Sequence, residues 1–426
     1  MKNIKNYGLE ILITLYSICI ILAIVPGFDF IIKTFKYFVL VGYPLLLLRN
    51  TKKVNIHIII ILISLAFPLL GTISGQQSAF SFSFFAPYIV TSFFISLMVH
   101  YRNNDNKFLI KLLKLNGIIL TVLTTISLVM FVAGIESFTF MGEVLKPNAY
   151  GRIAGLYSNA THGGMYATYA IIISCFFWFV GSKKEKYFWF VSAIINVIYC
   201  YFSYSRGAYL TLVLVLVACL IAYAFSNRNL GKQVFKKLWL AILAVIVLMI
   251  SSAVITTAID NIFYDNIHNM FTQDGEESDL FDRGGDFSAG RFDLWLDGIK
   301  IFKERPVFGY SHTDINNKIC PSTSNRLCGI DHKKLMQTHN SYIYVLMTLG
   351  IVGSAVLFGI VGYYLIIVIR NLYMKNNSAN IILFGLLIST LMAALYITTL
   401  FIQNDYSEFL LFIILGLLAN KEIVNN

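Results

Sequence analysis

The chain has 426 residues, of which 57% are apolar and 13% are charged, and its formal net charge is +11. Soluble domains carry about a quarter charged residues, so this composition excludes an ordinary water-soluble enzyme. A mean hydropathy of +0.71 instead indicates a polytopic membrane protein.

Apolar stretches long enough to cross a bilayer as a helix recur from one end of the chain to the other. The sequence therefore predicts an all-α polytopic membrane protein with about twelve transmembrane helices, each of about 20 residues, and one large extracytoplasmic loop. The predicted spans lie near residues 9–25, 30–48, 56–73, 83–99, 110–132, 163–181, 187–203, 208–225, 238–258, 340–368, 380–400 and 407–420.

The basic residues predict the orientation, because cytoplasmic segments of membrane proteins collect Lys and Arg. With the N-terminus inside, such residues gather in alternate segments, for example 102–114, whereas the outer segments 74–82 and 401–406 have none. Lys33 and Lys36 are the main exceptions. Both termini are therefore expected in the cytoplasm, and the net charge reflects topology, with no reason to invoke nucleic acid.

This topology divides the chain into three parts. Residues 1–258 hold the first nine predicted spans, residues 259–338 form the large outer loop, and residues 339–426 hold the last three spans. The loop is a long polar stretch in an otherwise apolar chain. We therefore expect the chemistry of the protein at the outer face of the membrane.

Three basic side chains lie at the predicted outer surface, where the topology rule disfavours positive charge. Arg206 follows a short turn and precedes a helix N-terminus, which suits anion binding, although an arginine there can also snorkel to lipid headgroups. Arg291 begins the loop segment 291–302, and His339 stands where the loop meets the tenth span. A helix N-terminus favours a neutral imidazole, so His339 either accepts a proton or is an interfacial histidine without a role.

The segment 291–302 is predicted to form an amphipathic helix, which lies on the membrane surface or folds over the bundle. Its apolar residues recur at helical spacing: Phe292, Trp295, Ile299 and Phe302.

Two glycines follow His339 at spacings that return to nearly the same helix face, Gly350 and Gly353. Small residues let a neighbouring helix approach closely. We therefore expect a helix to pack beneath His339 and to hold it in place.

Other polar groups are less specific. The acidic run 274–286 can hold a divalent cation, but its spacing fits no calcium loop and a solvated loop explains it better, so no metal site is predicted. Cys320 and Cys328 lie in a compartment that permits disulfides, and they are either bridged or unrelated thiols. The outer segment before the sixth span offers three candidates for substrate contact: Arg152, Asn159 and His162.

Several short motifs, together with their order along the chain, resemble the O-antigen ligase and O-antigen polymerase family of bacterial surface-polysaccharide assembly. The most specific is His339-Asn340 followed by Gly350 and Gly353. The resemblance covers residues 150–365 or so and matches the N-terminal spans only in hydropathy. The other motifs are Gly155-Leu156-Tyr157-Ser158-Asn159, Ser205-Arg206-Gly207, Gly290-Arg291 with Trp295, and Arg305-Pro306 with Gly309.

The resemblance implies a GT-C-like multispan glycosyltransferase of the bacterial inner membrane, with its active site facing the periplasm. Its donor would be an undecaprenyl-diphosphate-linked oligosaccharide, with no cofactor and no metal. Arg206 and Arg291 match the arginines assigned to the donor diphosphate, and His339 matches the catalytic histidine of the family. Arg305 and Asn340 are further candidates for substrate contact. Fixed guanidiniums can stabilise a leaving diphosphate, and a nearby base can take the proton of the attacking hydroxyl.

The acceptor distinguishes two activities within the family. A polymerase transfers the glycan to another lipid-linked repeat unit, and a ligase transfers it to lipid A core. Polymerase is favoured here because such chains are the more diverse and numerous members. The membrane lipid and a chain-length regulator are further candidate partners.

A third interpretation is a flippase or another transporter of lipid-linked oligosaccharides. Transporters place ionisable residues inside their spans. Charges within the predicted spans are almost absent here, which disfavours transport.

Overall fold

The computed structural model describes residues 2–28, 54–73, 82–102, 106–135, 137–149, 152–226, 291–312, 338–374 and 377–420, with the single positions 42, 44, 315 and 327. Several predicted features lie wholly or largely outside these described residues: the spans 30–48 and 238–258, the acidic run 274–286, Cys320 and Cys328. The number of spans, the large loop and the disulfide therefore stay predictions.

Eleven helices are seen in the described residues. They are α1 (Lys2–Leu22), α2 (Val54–Ile73), α3 (Phe82–Tyr101), α4 (Lys107–Val132), α5 (Ala160–Val180), α6 (Lys183–Phe202), α7 (Arg206–Ser226), α8 (Arg291–Glu304), α9 (Ser341–Met374), α10 (Ser378–Ala393) and α11 (Tyr406–Leu418).

Two short antiparallel hairpins lie between α4 and α5, which the all-α prediction did not include. In the first, the turn residues Met141 and Gly142 both have positive φ, the conformation that tight hairpins favour. The strands are β1 (Phe138–Phe140), β2 (Glu143–Leu145), β3 (Asn148–Ala149) and β4 (Arg152–Ile153).

Four of the described helices are long and apolar enough to cross a membrane, namely α4, α5, α7 and α9. Shorter apolar helices occur within α1, α2, α3, α10 and α11. These helices confirm the predicted helical membrane protein.

The centre of the bundle is α11, in which every residue is buried. It packs against α1, α3, α9 and α10, while α5 packs against α4, α6, α7 and α10. A helix that is apolar on all sides belongs in the interior of a bundle, so the sequence of α11 explains its place.

Glu408 is a charged residue inside the predicted span 407–420, and it is fully buried. Its carboxylate accepts hydrogen bonds from the Thr91 hydroxyl at 2.5 Å and from three successive backbone N–H groups, those of residues 402–404, at 3.1, 3.2 and 3.1 Å. A buried carboxylate needs such partners. Ile402 has a φ of +62°, which is strained for a β-branched residue, so Glu408 stabilises an unusual turn.

One end of the bundle is closed by contacts among the last turns of α3, α9 and α11. The Asn420 amide donates to the Tyr101 carbonyl at 2.7 Å, and the Asn371 amide donates to the Leu418 carbonyl at 3.0 Å. Arg102 stacks on a ring of α9, 5.4 Å from the centroid of Tyr364. The candidate functional residues lie at the opposite end.

Helix α8 is folded over the bundle and packs against α9. Gly298 and Ile301 are buried, and a Cβ at Gly298 would come within 2.7 Å of Ile343. The predicted apolar face was wrong in detail, because Phe292 is 58% exposed and Ile299 is 36% exposed. Gly298 permits the close approach of the two helices, and this approach selects the buried face.

Candidate functional site

The segment after α8 is hydrogen-bonded into a break in α9. The helical geometry fails at Gly350, where φ is 63° and ψ is −168°. The N–H groups of residues 351 and 352 donate to the carbonyls of residues 306 and 307, at 2.7 and 3.2 Å. The N–H groups of residues 310 and 311 donate to the carbonyls of residues 347 and 348, both at 2.9 Å. We call these two segments, 306–311 and 347–352, the clasp.

Glycines are required on both sides of the clasp. A Cβ at Gly350 would lie 2.3 Å from the Val307 carbonyl oxygen, and one at Gly309 would lie 2.6 Å from the Gly350 nitrogen. The expectation that Gly350 continues the helix face of His339 was therefore wrong. At Gly353 the expected close packing is confirmed, because a Cβ there would lie 3.1 Å from the Phe67 ring in α2.

His339 lies on a turn held by its two neighbours. The Asn340 side-chain oxygen accepts from the N–H groups of Tyr342 and Ile343, at 3.0 and 3.1 Å, and so caps α9. The Thr338 hydroxyl donates to the Asn340 carbonyl at 2.9 Å. His339 itself has a φ of +49° and is half-buried. The side-chain oxygen of Asn340 is thus used for capping, and its predicted contact with substrate stays a prediction.

Arg291 is the first residue of α8 and an electrostatic neighbour of His339. Burial, and then the positive charge of Arg291, lower the pKa of His339 from its ordinary 6.5. The neutral ring that the sequence predicted therefore agrees with the structure, but burial and Arg291 are the physical causes. A neutral imidazole can accept a proton at neutral pH.

Arg206 is the exposed first residue of α7, three residues after Ser203, which caps the C-terminus of α6. Ser205 precedes it and is buried, and its hydroxyl accepts from the Ala208 N–H at 3.3 Å. Tyr204 has a φ of +46°, as a tight turn requires. The predicted short turn before a helix N-terminus is confirmed.

Sequence reasoning missed Tyr396, which lies against the start of α7. A Cβ at Gly207 would meet its ring at 2.6 Å, and its hydroxyl lies 3.0 Å from the Thr211 hydroxyl. The charge of Arg291 also acts on this side chain. The one signal in the sequence is Gly207 itself, because a glycine in the first turn of a helix indicates a close approach.

The candidates before α5 reach the same end of the bundle. Arg152 donates through Nε to the Ser203 carbonyl at 3.0 Å, so it supports the turn that carries Arg206. Asn159 caps α5 by accepting from the His162 N–H at 2.9 Å. The His162 ring nitrogen Nδ1 lies 3.1 Å from the Ser158 hydroxyl, and His162 interacts electrostatically with His339.

Arg305 is not brought to this group by any contact of the described residues. It directly follows the last residue of α8, so it lies about 20 Å from Arg291 at 1.5 Å per helical residue. Its guanidinium stacks on Tyr310, 4.3 Å from the ring centroid. The Tyr310 hydroxyl donates to Glu304, and burial and that carboxylate raise the pKa of Tyr310 to about 12.

The described residues hold no group of three or more His, Cys, Asp or Glu that is arranged to bind a metal ion. This end of the bundle carries two arginines at helix starts and the half-buried His339, which is an electrostatic neighbour of Arg291. Guanidiniums bind phosphates as bidentate donors, and a neutral imidazole takes a proton. This arrangement suits transfer of a group from a phosphate ester to a hydroxyl.

The family model described as O-antigen ligase matches residues 191–358. The matched segment runs from α6 into α9 and contains Arg206, Arg291 and His339, whereas residues 152–162 and Tyr396 lie outside it. No curated protein matches the chain. Through this segment, which is less than half of the chain, the protein is similar to the O-antigen ligase family.

Proposed function

We propose that this protein is a glycosyltransferase of the inner membrane that transfers a glycan from undecaprenyl diphosphate to a sugar hydroxyl on the periplasmic side. The gathering of Arg206, Arg291 and His339 from three separate segments at one end of the bundle supports this function. The match to this family model supports the enzyme class.

The reaction needs one bond to form and one to break. The acceptor hydroxyl oxygen bonds to the anomeric carbon, and the bond from that carbon to the diphosphate oxygen breaks. His339 takes the hydroxyl proton as general base. Arg206 and Arg291 offset the negative charge that gathers on the leaving undecaprenyl diphosphate, so we propose that no metal is needed.

The remaining candidates are assigned to the substrates on the same side. His162 interacts electrostatically with His339, so we assign it to the acceptor hydroxyl. Arg152 and Asn159 are assigned to the glycan near α5, Asn340 to the acceptor through its amide, and Arg305 to the outer part of the donor glycan.

We propose a second lipid-linked repeat unit as the acceptor, which makes the protein a polymerase, with a chain-length regulator as a candidate partner. The alternative is transfer to lipid A core. The family model that matches this chain describes O-antigen ligases, which favours this alternative. The two activities share the donor and the chemistry, so the acceptor is the quantity to test.

Transport is the weaker alternative. Glu408 is an ionisable residue inside a predicted span, as a transporter would have. Both of its oxygens accept hydrogen bonds from the turn 402–404 or from Thr91, which supports a structural role.

The test is glycan transfer by the purified protein in liposomes that contain the lipid-linked donor and EDTA. We expect a ladder of products with donor alone and no transfer to added lipid A core. Transfer to lipid A core alone would establish the ligase, and movement of donor without transfer would establish a transporter. Loss of transfer with EDTA would contradict the metal-free mechanism.

Three variants test the residue roles in the same assay. Arg206→Lys and Arg291→Lys keep the charge but lose the bidentate geometry, so transfer should fall strongly. His339→Ala should reduce transfer by about 100- to 10,000-fold, the usual size of a general-base contribution. Arg102→Lys, at the opposite end of the bundle, is the matched control and should transfer normally. Near-normal transfer by the three site variants would reduce these residues to interface anchors.

A further inference from the structure

Tyr396 packs against the start of α7, the helix that begins with Arg206. Its ring lies against Gly207, the residue after Arg206, where a Cβ would meet ring atoms at 2.6 to 2.8 Å. Its hydroxyl shares a 3.0 Å hydrogen bond with Thr211, one turn further along α7. Its side chain also feels the charge of Arg291 at the start of α8. Tyr396 is buried, with 7% of its surface exposed.

The backbone that carries Tyr396 is fixed to the segment that carries His339. Ser341 donates through its N–H to the Ala394 carbonyl at 2.8 Å and through its hydroxyl to the Ile397 carbonyl at 3.0 Å. The same hydroxyl accepts from the N–H groups of residues 399 and 400, both at 3.0 Å. Ser341 is two residues after His339, so Tyr396 is held at a fixed place relative to the proposed base.

We propose that Tyr396 is a positioning residue, whose ring sets the place of Arg206 relative to His339 at the donor diphosphate. This inference rests on the proposed function. The ring acts as a spacer at the start of α7, and the Thr211 bond fixes its orientation. A bidentate contact depends on geometry, and a displacement of about 1 Å can cost about 100-fold in rate.

The primary experiment measures the affinity of the purified protein for undecaprenyl diphosphate, without a transfer step. Tyr396→Leu removes the spacer, so we expect the affinity to fall about tenfold or more, in line with a lost charge-assisted contact. Tyr396→Phe keeps the ring and should retain most of the affinity. Gly207→Ala leaves Tyr396 intact but pushes its ring from the other side, so it should reproduce the loss.

A combined variant distinguishes a positioning role from general destabilisation. If Tyr396 acts through Arg206, adding Tyr396→Leu to Arg206→Lys should change the affinity little further. Equal losses in both backgrounds would overturn the proposal, as would wild-type affinity in both Tyr396→Leu and Gly207→Ala. Tyr209→Phe is the matched control, because it removes a half-buried tyrosine hydrogen bond of α7, to the Tyr201 carbonyl.

The proposed function can fail separately from this inference. Wild-type protein that binds undecaprenyl diphosphate but transfers no glycan would contradict the transferase and leave the Tyr396 comparison valid. Wild-type protein that does not bind undecaprenyl diphosphate at all would overturn both.

Discussion

The surroundings of His339 suit the role of base that we propose for it. Two buried neighbours fix its turn, and burial and the charge of Arg291 lower its pKa. The donor diphosphate would add negative charge beside the ring, and nearby negative charge raises the pKa of a histidine. Donor binding should therefore change the proton affinity of the base, which gives a measurable pH dependence.

We expect the acid limb of kcat/KM to lie below pH 6.5, because this profile reports the free enzyme. The neutral fraction of His339 rises with pH through its lowered pKa, so activity is lost only below that value. The acid limb of kcat reports the complex and should lie at higher pH. Profiles from about pH 5 to pH 8, where histidine titrates, would measure both. A kcat limb at lower pH than the kcat/KM limb would contradict this assignment.

At the residue scale, the sequence singled out three basic side chains but did not predict what holds them in place. Arg206, Arg291 and His339 stand out because basic groups are rare at the outer face. Tyr396 gave no such signal, since an apolar segment of tyrosines and leucines resembles ordinary packing. Its proposed role depends on its contact with Gly207, 189 positions earlier in the chain. Hydrophobic periodicity and composition carry no information about such a distant pairing.

At the scale of elements, the clasp fixes α8 to α9 and so fixes Arg291 relative to His339. The helix break at Gly350 was not predictable, because the apolar pattern of α9 runs through it unchanged. The break forms because the segment 306–311 supplies carbonyls and N–H groups for the interrupted ladder. A glycine pair in facing positions, Gly309 and Gly350, is the only trace of it in the sequence.

Gly350→Ala should destabilise the protein and abolish transfer. An alanine there would need a φ of +63° and would bring its Cβ within 2.3 Å of the Val307 oxygen, so the loss should exceed about 1 kcal/mol. Gly359→Ala is the matched control in the same helix, where a Cβ meets nothing within 4 Å. That change should be neutral or stabilise the helix by about 0.5–1 kcal/mol. Thermal unfolding in detergent and transfer assays measure both, and equal behaviour of the two variants would refute the clasp.

For the whole molecule, the described helices agree with a bundle that has one closed end and one functional end. The basic residues alone predicted which helix ends lie together, since α3, α9 and α11 were all expected to end on the cytoplasmic side. Their last turns do meet at one end. The two hairpins before α5 were missed, because strands of two or three residues leave too short a pattern to detect.

The outer placement of the loop is directly testable. A single cysteine introduced by Asp279→Cys should react with an impermeant thiol reagent in intact cells whose outer membrane has been permeabilised. The positive-inside rule predicts this side for residues 259–338. A cysteine introduced at Lys184, in a predicted cytoplasmic segment, is the control and should label only after the inner membrane is opened. The reverse pattern would invert the whole topology.

The burial of α11 also has a consequence for biosynthesis. This helix is surrounded on all sides, yet ten other described helices precede it in the chain. During translation those helices enter the membrane with an unfilled centre, and Thr91 and Tyr166 await their partners Glu408 and Asp405. Tyr396 and the partners of Ser341 also arrive late. A nascent chain that stops before residue 394 therefore has both arginines and the histidine but lacks Tyr396, so the proposed site would be complete only after the last helices are inserted.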